Sequence, residues 1–289
     1  MQRQGAKPPS VLRYAAFAAT PGGGNPAGIV LHAGGLADAD MQRIAANIGY
    51  AETAFVTERN LAGNPRHLRL RYFSPVAEVP FCGHATIATA VMLAEREGTG
   101  TFEFETPVGP VMMETSTGGS GITAAFTSVE PEVARLDGEA EHELLDLLGL
   151  TRADLDIRYP LLSAFAGNWH PMVVLRDKSV FDGFTFDPHA MRTLMDAQGW
   201  RGTVTVLYAH SPTSFEARNL FPVGTLTEDP ATGSAAASLG GYLRAMELVT
   251  APCQVEVHQG SHIGRPSLLK VTIPQSGGVV VSGTATEIA

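Results

Sequence analysis

Two short segments, separated by 150 positions, carry reactive residue types just before a helical pattern. The first is Glu78-Val-Pro-Phe-Cys-Gly-His-Ala85 and the second is Glu228-Asp-Pro-Ala-Thr-Gly-Ser-Ala235, so both follow Glu-x-Pro-x-x-Gly-x-Ala. Apolar residues at helical spacing come after each copy. The first N–H groups of a helix are unpaired and lie at the positive end of its dipole, which favours an anion there. The repeat predicts two helix starts, at Gly83 and Gly233, that seat a carboxylate.

Glycine suits such a seat because a side chain at Gly83 or Gly233 would hold a ligand away from the backbone. The alternative is that both glycines belong to ordinary helix caps and allow tight packing. A single copy of the motif would favour that alternative. The duplication favours the binding interpretation.

Glu52 and His84 are the candidates for proton transfer. Glu52 follows an amphipathic segment at 41–48 and opens an apolar run, so it is expected at the start of a strand beside a buried region. Partial burial would raise the pKa of this carboxyl and make it a better proton acceptor at neutral pH. His84 can donate to a substrate oxygen or hold a proton near neutrality. The alternatives are a solvated Glu and a structural His.

Composition limits the function classes. The chain has 289 residues with a formal charge of −9, 44% apolar and 17% charged residues, which is typical of a globular protein. The acidic balance disfavours a nucleic-acid partner. The sequence contains no apolar run of membrane-spanning length, and its first ten residues lack the apolar core of a signal peptide. We expect a cytoplasmic protein with no membrane partner.

Cofactors and metals are not expected. Cys82 and Cys253 are too few for a disulfide framework, and the histidines do not cluster with metal-ligand spacing. Gly22-Gly23-Gly24 is not followed by the Lys-Ser/Thr of a phosphate-binding loop. The sequence therefore predicts chemistry without a cofactor and without a metal.

Strand-like segments outnumber helical ones. His67–Phe73 and Cys253–His258 alternate apolar and polar residues, as half-buried strands do. The helical pattern at 41–48 follows Asp38 and Asp40, either of which could cap that helix. The stretch 117–121, Thr-Gly-Gly-Ser-Gly, predicts a hairpin turn.

The internal repeat also predicts the domain organisation. A weaker second echo relates Gly24-Asn25-Pro26 to the segment Gly167–Pro171. Two similar halves imply two similar lobes with a cleft between them. We expect lobes at 10–124 and 125–278, with 279–289 free to join the first lobe and the active site in the cleft.

Several motifs together resemble the phenazine-biosynthesis isomerase (PhzF-like) family. They are Gly24-Asn-Pro, Glu52-Thr-x-Phe-Val, Pro80-Phe-Cys-Gly-His-Ala-Thr86, Glu228-Asp-Pro-Ala-Thr-Gly-Ser-Ala235, and Gln259-Gly with Gly264-Arg-Pro-Ser267. The resemblance implies the α+β fold of diaminopimelate epimerase. In that fold, two pseudo-symmetric lobes each wrap a mixed, barrel-like sheet around a central helix.

The resemblance also implies roles for residues. Glu52 matches the acid/base that relocates a proton on a dihydro-hydroxyanthranilate ring, and His84 matches a substrate-site histidine. Asp229 would order His84 or a substrate amine, with a simple helix cap as its alternative. Ser234 would bind the carboxylate, and Gly83, Gly233, Cys82 and Thr232 would line the site. Similar proteins are homodimers, so we expect a homodimer.

Two other functions stay open. Epimerases and racemases of this fold use one catalytic Cys from each half, so Cys82 could serve as a base. The second half has Thr232 at that place, and a hydroxyl is far too weak an acid to replace a thiol. A binding protein that keeps the cleft without turnover is the third possibility. The favoured prediction is a cofactor-free isomerase that moves a carbon-bound proton on a small carboxylate, with catalytic residues Glu52, His84 and Asp229.

Overall fold

The structure, a computed structural model, describes residues 9–119, 121–223 and 226–289, without the side chains of residues 223 and 226. Contacts divide the chain into two compact units. Unit 1 comprises the described residues up to Ala16, then Pro26–Ala124 and Thr284–Ala289, and unit 2 comprises Phe17–Asn25 and Ala125–Gly283. Residues 17–25, which we had expected in the first lobe, therefore pack with unit 2.

Unit 1 is built mainly of strands, with one outer and one inner helix. Its strands are β1 (Leu12–Ala16), β2 (Asn25–Val30), β3 (Glu52–Arg59), β4 (His67–Phe73), β5 (Glu78–Val79), β6 (Gly100–Thr106), β7 (Gly109–Gly118) and β8 (Gly121–Thr127). Its helices are α1 (Asp38–Ile48) and α2 (Gly83–Glu97). A 3₁₀ turn at Leu61–Gly63 joins β3 to β4.

Unit 2 has the same mixture with additional helices. Its strands are β9 (Glu132–Ala134), β10 (Leu162–Phe165), β11 (Trp169–Leu175), β12 (Val204–Ser211), β13 (Ser214–Val223), β14 (Leu226–Asp229), β15 (Cys253–Gln259), β16 (Ser267–Ile273) and β17 (Val280–Glu287). Its helices are α3 (Gly138–Leu147), α4 (Lys178–Gly183), α5 (Pro188–Ala197) and α6 (Gly233–Ala245). Three strands are divided between the units. The first residue of β2, Asn25, and the last three of β8, residues 125–127, belong to unit 2, and residues 284–287 of β17 belong to unit 1.

Strand pairing follows the same order in both units. In unit 1, β2 pairs with β3 in parallel, β4 pairs antiparallel with β3 and β5 and parallel with β6, and β6 pairs antiparallel with β7. In unit 2, β11 to β16 repeat this order, with β13 in the place of β4 and β14 in the place of β5. The halves therefore share one topology, as the sequence repeat predicted.

Each unit is organised around one helix that is buried on all faces. Every side chain of α2 from His84 to Ala94 is buried, and α6 is buried from Gly233 to Leu243 except at Ser234. A helix that is apolar all round needs protein on every side. In unit 1 the surroundings of α2 include β1, β3 and β7, and in unit 2 those of α6 include β9, β10, β11 and β16. The strands wrap these helices, and α2 and α6 begin at the two predicted glycines.

Local predictions are mostly confirmed. β4 has the predicted bounds with Leu68, Leu70 and Tyr72 buried, and the predicted strand at 253–258 is β15, one residue longer. Ser120 lies outside the described residues, so the turn at 117–121 is only partly described. None of the helices within the described ranges is long and apolar enough to cross a membrane.

The predicted cap of α1 is wrong. The N-cap position is Ala37, and both Asp38 and Asp40 lie inside the first turn. Asp38 instead forms an ion pair with Arg71 of β4 at 2.7 Å, which lowers the pKa of its carboxyl. A carboxylate in the first turn still complements the helix dipole, which is why the sequence pattern resembles a cap.

Candidate active site

In unit 1, the loop before α2 and the start of β3 bring three reactive side chains together. Glu52 is the first residue of β3, Cys82 is the N-cap residue of α2 and His84 is the second residue of that helix. The Cys82 thiol lies 3.4 Å from Glu52 Oε2 and 3.4 Å from His84 Nδ1. His84 Nε2 lies 3.5 Å from the same Glu52 oxygen. The predicted acid/base and the predicted histidine are therefore neighbours.

The three side chains of this cluster differ in their burial. Cys82 and His84 are buried, and burial lowers the pKa of the His84 imidazole to about 3. His84 is therefore neutral at physiological pH, with one nitrogen as a donor and the other as an acceptor. Glu52 keeps 16% of its side chain exposed. Of the three groups, the carboxylate is the one most open to a ligand.

A chain of hydroxyl groups fixes the start of α2 behind the cluster. The Thr86 hydroxyl donates to the Cys82 carbonyl oxygen at 2.7 Å, and it lies 2.7 Å from the Tyr72 hydroxyl. Because the Thr86 hydroxyl donates its only proton to the Cys82 carbonyl oxygen, the Tyr72 hydroxyl is the donor in the bond between Tyr72 and Thr86. Burial raises the pKa of the Tyr72 phenol, so this proton stays in place. The backbone of Cys82 is thus held by two elements, β4 and α2.

In unit 2, a second polar cluster surrounds Asp229 at the end of β14. Thr232, the N-cap residue of α6, donates its hydroxyl proton to Asp229 Oδ2 at 2.5 Å, and Asn25 donates its amide to Asp229 Oδ1 at 2.8 Å. Gln259 donates to the Asp229 carbonyl oxygen at 2.6 Å and accepts from the Thr232 N–H at 3.1 Å. Asp229 therefore accepts bonds at both carboxylate oxygens.

Burial raises the pKa of Asp229 to about 6, and the bonds from Thr232 and Asn25 oppose that rise. Desolvation disfavours the charged form, whereas donors to the carboxylate favour it. The result is a buried acid that changes charge close to neutral pH. Such a group can hold or release a proton in a reaction.

Ser234, in the first turn of α6, meets a histidine for which the sequence predicted no role. Ser234 Oγ and His170 Nε2 are hydrogen-bonded at 3.0 Å, and His170 is fully buried on β11. The sequence signal was the weak echo that includes Gly167–Pro171, which lies opposite Asn25 in the repeat. Asn25 and Gln259 were likewise part of recognised motifs without a stated role.

Gly233 has a packing reason as well as the predicted one. A Cβ atom there would lie 3.2 Å from the Phe126 ring, tighter than most real contacts. Gly233 therefore lets α6 begin close to that ring, so its presence does not by itself demonstrate a ligand.

The structure gathers the predicted residues in two groups. Glu52, Cys82 and His84 meet in unit 1 around Gly83, and Asp229, Thr232 and Ser234 meet in unit 2 around Gly233. That Asp229 orders His84, and that the active site lies in a cleft, stay predictions.

Ligand atoms of Glu52, Cys82 and His84 are close enough to invite comparison with a metal site. The Cys82 sulfur, however, lies 3.4 Å from one imidazole nitrogen and 3.7 Å from the other. A metal ion binds along the lone pair of one nitrogen, so a ligand sharing that ion would be far from the second nitrogen. This arrangement is that of a thiol packed against the ring.

Sequence comparison places the chain among isomerases. The profile of the family described as phenazine biosynthesis-like protein, PhzC-PhzF, matches residues 14–289. An uncharacterized isomerase of Deinococcus radiodurans is 34% identical, covering 92% of this chain and 88% of the relative. A trans-2,3-dihydro-3-hydroxyanthranilate isomerase of Pseudomonas chlororaphis is 30% identical, covering 88% of this chain and 86% of the relative.

Structural comparison gives the same family. The crystal structure of a PhzF-family phenazine biosynthesis protein of Bacillus anthracis matches with a TM-score of 0.82 and 28% identity, over 96% of both chains. A hydroxyproline epimerase of Agrobacterium vitis matches with a TM-score of 0.62 at 11% identity, over 96% of this chain and 90% of that one, which shows the shared fold alone. The predicted diaminopimelate-epimerase-like fold is confirmed. With two central helices, duplicated topology and a family match over nearly its whole length, the chain belongs to the PhzC-PhzF family of phenazine biosynthesis-like proteins and is an isomerase of that family.

Proposed function

We propose that this isomerase needs no cofactor and relocates a carbon-bound proton on a small cyclic or amino carboxylate, with Glu52 as the acid/base. The observation that carries the proposal is the position of Glu52. It begins a strand, keeps part of its carboxylate exposed and sits beside a neutral histidine. A carboxylate in such a place can take a proton from carbon and return it to another carbon.

The other residues have supporting roles in this proposal. His84, which is neutral because it is buried, donates a hydrogen bond to a substrate oxygen without adding a charge. Asp229 titrates near neutral pH and balances a substrate amine. Ser234 binds the substrate carboxylate, and the first N–H groups of α2 at Gly83 and of α6 at Gly233 are each suited to an anion.

The substrate class is supported by the relative from Pseudomonas chlororaphis, which is named for a cyclic amino carboxylate. At 30% identity, the reaction type transfers more readily than the molecule, because substrate choice depends on lining residues outside the motifs. The proposal therefore names the substrate class.

The bond from Thr232 argues against a symmetric two-base racemase. The Thr232 hydroxyl gives its proton to Asp229 at 2.5 Å, so it is engaged in holding a carboxylate. Cys82 is hydrogen-bonded to the proposed base, and the second half has Thr232 at the equivalent position. A one-base proton shuttle through Glu52 fits these contacts better.

The test is deuterium incorporation from heavy water into trans-2,3-dihydro-3-hydroxyanthranilate, followed by mass spectrometry. Glu52→Gln keeps the shape and removes the base, so incorporation should fall on the order of a hundredfold or more. Cys82→Ser should reduce it far less, and Cys253→Ser, at the other thiol, serves as the control.

Three results would oppose the proposal in different ways. Loss of exchange in Cys82→Ser with retention in Glu52→Gln would make Cys82 the base. Binding of the probe by the wild type without any exchange would indicate a binding protein. Absence of both binding and exchange would reject the proposed substrate class.

A further inference from the structure

A continuous chain of polar side chains in unit 2 runs from the core to the first turn of α6. Thr205 and Thr203 both donate hydroxyl protons to Asn219 Oδ1 at 2.7 Å. Thr203 also contacts His170, and His170 Nε2 is hydrogen-bonded to Ser234 Oγ at 3.0 Å. All members except Ser234 are fully buried. The chain therefore emerges from the core at one residue, the serine at the helix start.

The His170 imidazole is held tightly from several directions. The Thr203 N–H lies 3.0 Å from Nδ1, and the Thr203 carbonyl oxygen lies 3.1 Å from it. A Cβ atom at Gly202 would lie 2.5 Å from His170 Cε1, so the backbone there comes directly against the ring. Burial lowers the pKa of His170 to about 4, and the ring is neutral at physiological pH. The ring thus offers a fixed nitrogen to Ser234 without adding a charge.

We propose that His170 is a positioning residue for the carboxylate-binding hydroxyl of Ser234: it donates from Nε2 to Ser234 Oγ, so that Ser234 must direct its own proton toward the ligand. This inference rests on the proposed function for the identity of the ligand. The geometry of the His170–Ser234 pair does not depend on it. His170 acts only through Ser234 and touches no reacting atom.

The Thr203 contacts fit two tautomers of His170, because the Thr203 N–H can only donate to Nδ1 whereas the Thr203 carbonyl oxygen, at 3.1 Å from the same nitrogen, can only accept. The Thr203 hydroxyl, at 3.0 Å from Nδ1, can do either. In the proposed tautomer, Nδ1 accepts from the Thr203 N–H and the imidazole proton lies on Nε2. Nε2 then donates, and Ser234 Oγ accepts. A carboxylate ligand can only accept, so it needs the Ser234 proton that this arrangement leaves over. In the opposite tautomer, Nδ1 donates to the Thr203 carbonyl oxygen. Ser234 would then donate its proton to Nε2 of His170 and have none left for the ligand.

The first test measures binding of anthranilate, a cyclic amino carboxylate, to the full-length protein by calorimetry. Ser234→Ala and His170→Leu should each weaken binding by about five- to tenfold, the size of one lost hydrogen bond. In the double variant, binding should be within about twofold of Ser234→Ala alone, because His170 has nothing left to position. His170→Gln, which keeps a donor, should recover most of the affinity.

Thr205→Val is the matched control. It breaks the same buried chain at the end far from Ser234, so it should lower the melting temperature while changing anthranilate affinity by less than about twofold. A merely structural role for His170 would instead make its effect additive with Ser234→Ala, and would make Thr205→Val weaken binding as much as His170→Leu. Either result overturns the proposal.

A second measurement needs no ligand, and it tests the proposal even when the His170→Leu variant does not fold. The ¹⁵N signals of the His170 side chain distinguish a protonated nitrogen from an unprotonated one. We expect a proton on Nε2, and a shift of that signal in Ser234→Ala. A proton on Nδ1, or an unchanged Nε2 signal, overturns the proposal. Failure of the wild type to bind anthranilate, with the expected ¹⁵N result, would reject the ligand class and leave the His170–Ser234 pair standing.

Discussion

Asp229 shows how a residue identified by a motif acquires its chemistry from residues far away in the chain. The motif Glu228–Ala235 marks Asp229, but the donors to its carboxylate and carbonyl oxygens include Asn25 and Gln259. Burial by the surrounding fold raises its pKa to about 6. Sequence could select the acid, and only the tertiary structure could set its charge.

The effect of Asp229 on stability should depend on pH in a defined window. With a folded pKa of about 6 against an ordinary value of 3.8, the folded state binds a proton that the unfolded state releases between these values. Asp229 therefore opposes folding increasingly as the pH rises through that window. Asp229→Asn is neutral throughout, so the stability of this variant relative to wild type should rise by up to about 3 kcal/mol from pH 4 to pH 7.

Urea denaturation at a series of pH values measures this difference. Asp156→Asn is a control of opposite sign, because bonds from Arg158 lower the pKa of Asp156 and make its charge favourable to folding. The relative stability of that variant should fall, not rise, with increasing pH, and the fall should lie below about pH 4, because a lowered pKa adds stability only up to the ordinary value of 3.8. A pH-independent difference for Asp229→Asn would contradict the assigned shift.

The partnership of His170 with Ser234 shows where residue-level prediction ends. His170 lies 64 positions from Ser234. Neither residue belongs to a spacing pattern that would join them, and the contact exists because β11 runs beside α6. A hydrogen bond across such a distance depends on the packing of whole elements, which sequence periodicity does not specify.

At the scale of elements, periodicity predicted what each segment is, and packing decided its details. The alternating pattern of β4 and the helical spacing of α2 were sufficient to predict these two elements, because burial determines which positions of a segment are apolar. The pattern did not predict the cap of α1, because the Asp38 carboxylate pairs with Arg71 of β4 and does not cap the helix.

Gly241 in α6 should behave contrary to the usual rule for helix glycines. Replacing an exposed helix glycine by alanine commonly stabilises by up to about 1 kcal/mol. A Cβ atom at Gly241, however, would lie 2.3 Å from Pro131 Cβ. Gly241→Ala should therefore destabilise the protein by about 1–3 kcal/mol through overpacking.

Gly183, the last residue of α4, is the matched control. A Cβ atom there would meet nothing within 4 Å among the described residues. Thermal unfolding should show Gly183→Ala as neutral or stabilising, and Gly241→Ala as clearly destabilising. Equal effects of the two substitutions would mean that α6 can shift away from Pro131.

At the scale of the whole molecule, the repeated motif also carries a structural ion pair in each half. Glu78 of β5 pairs with Arg71 of β4 at 2.7 Å, and Glu228 of β14 pairs with Arg218 of β13 at 2.6 Å. In both units the pair ties together the two strands just before the central helix. The glutamate was visible in the sequence repeat, whereas its arginine partner required the strand register.

The two pairs should contribute very differently to stability. The Glu228 side chain is 7% exposed and that of Glu78 is 38% exposed. Removing one partner of a buried pair leaves an uncompensated charge, which costs about 3–5 kcal/mol, whereas an exposed pair is worth about 0–1 kcal/mol. Glu228→Gln should therefore lower the free energy of unfolding severalfold more than Glu78→Gln, as measured by urea denaturation. Similar losses would contradict the burial argument.

A homodimer stays a prediction for the assembled protein. Sedimentation at micromolar concentration should give twice the mass of one chain. A single monomeric species would contradict this expectation and leave the proposed chemistry unaffected.

The contact between Gly202 and the His170 ring has a consequence for evolution. Any larger residue at position 202 would occupy the space of the imidazole. A lineage of the family therefore cannot change position 202 first and keep a histidine at 170. The two positions should covary, with histidine at 170 found beside glycine at 202, and bulkier residues at 202 found only where 170 has become small. Such a lineage would need another way to orient its serine.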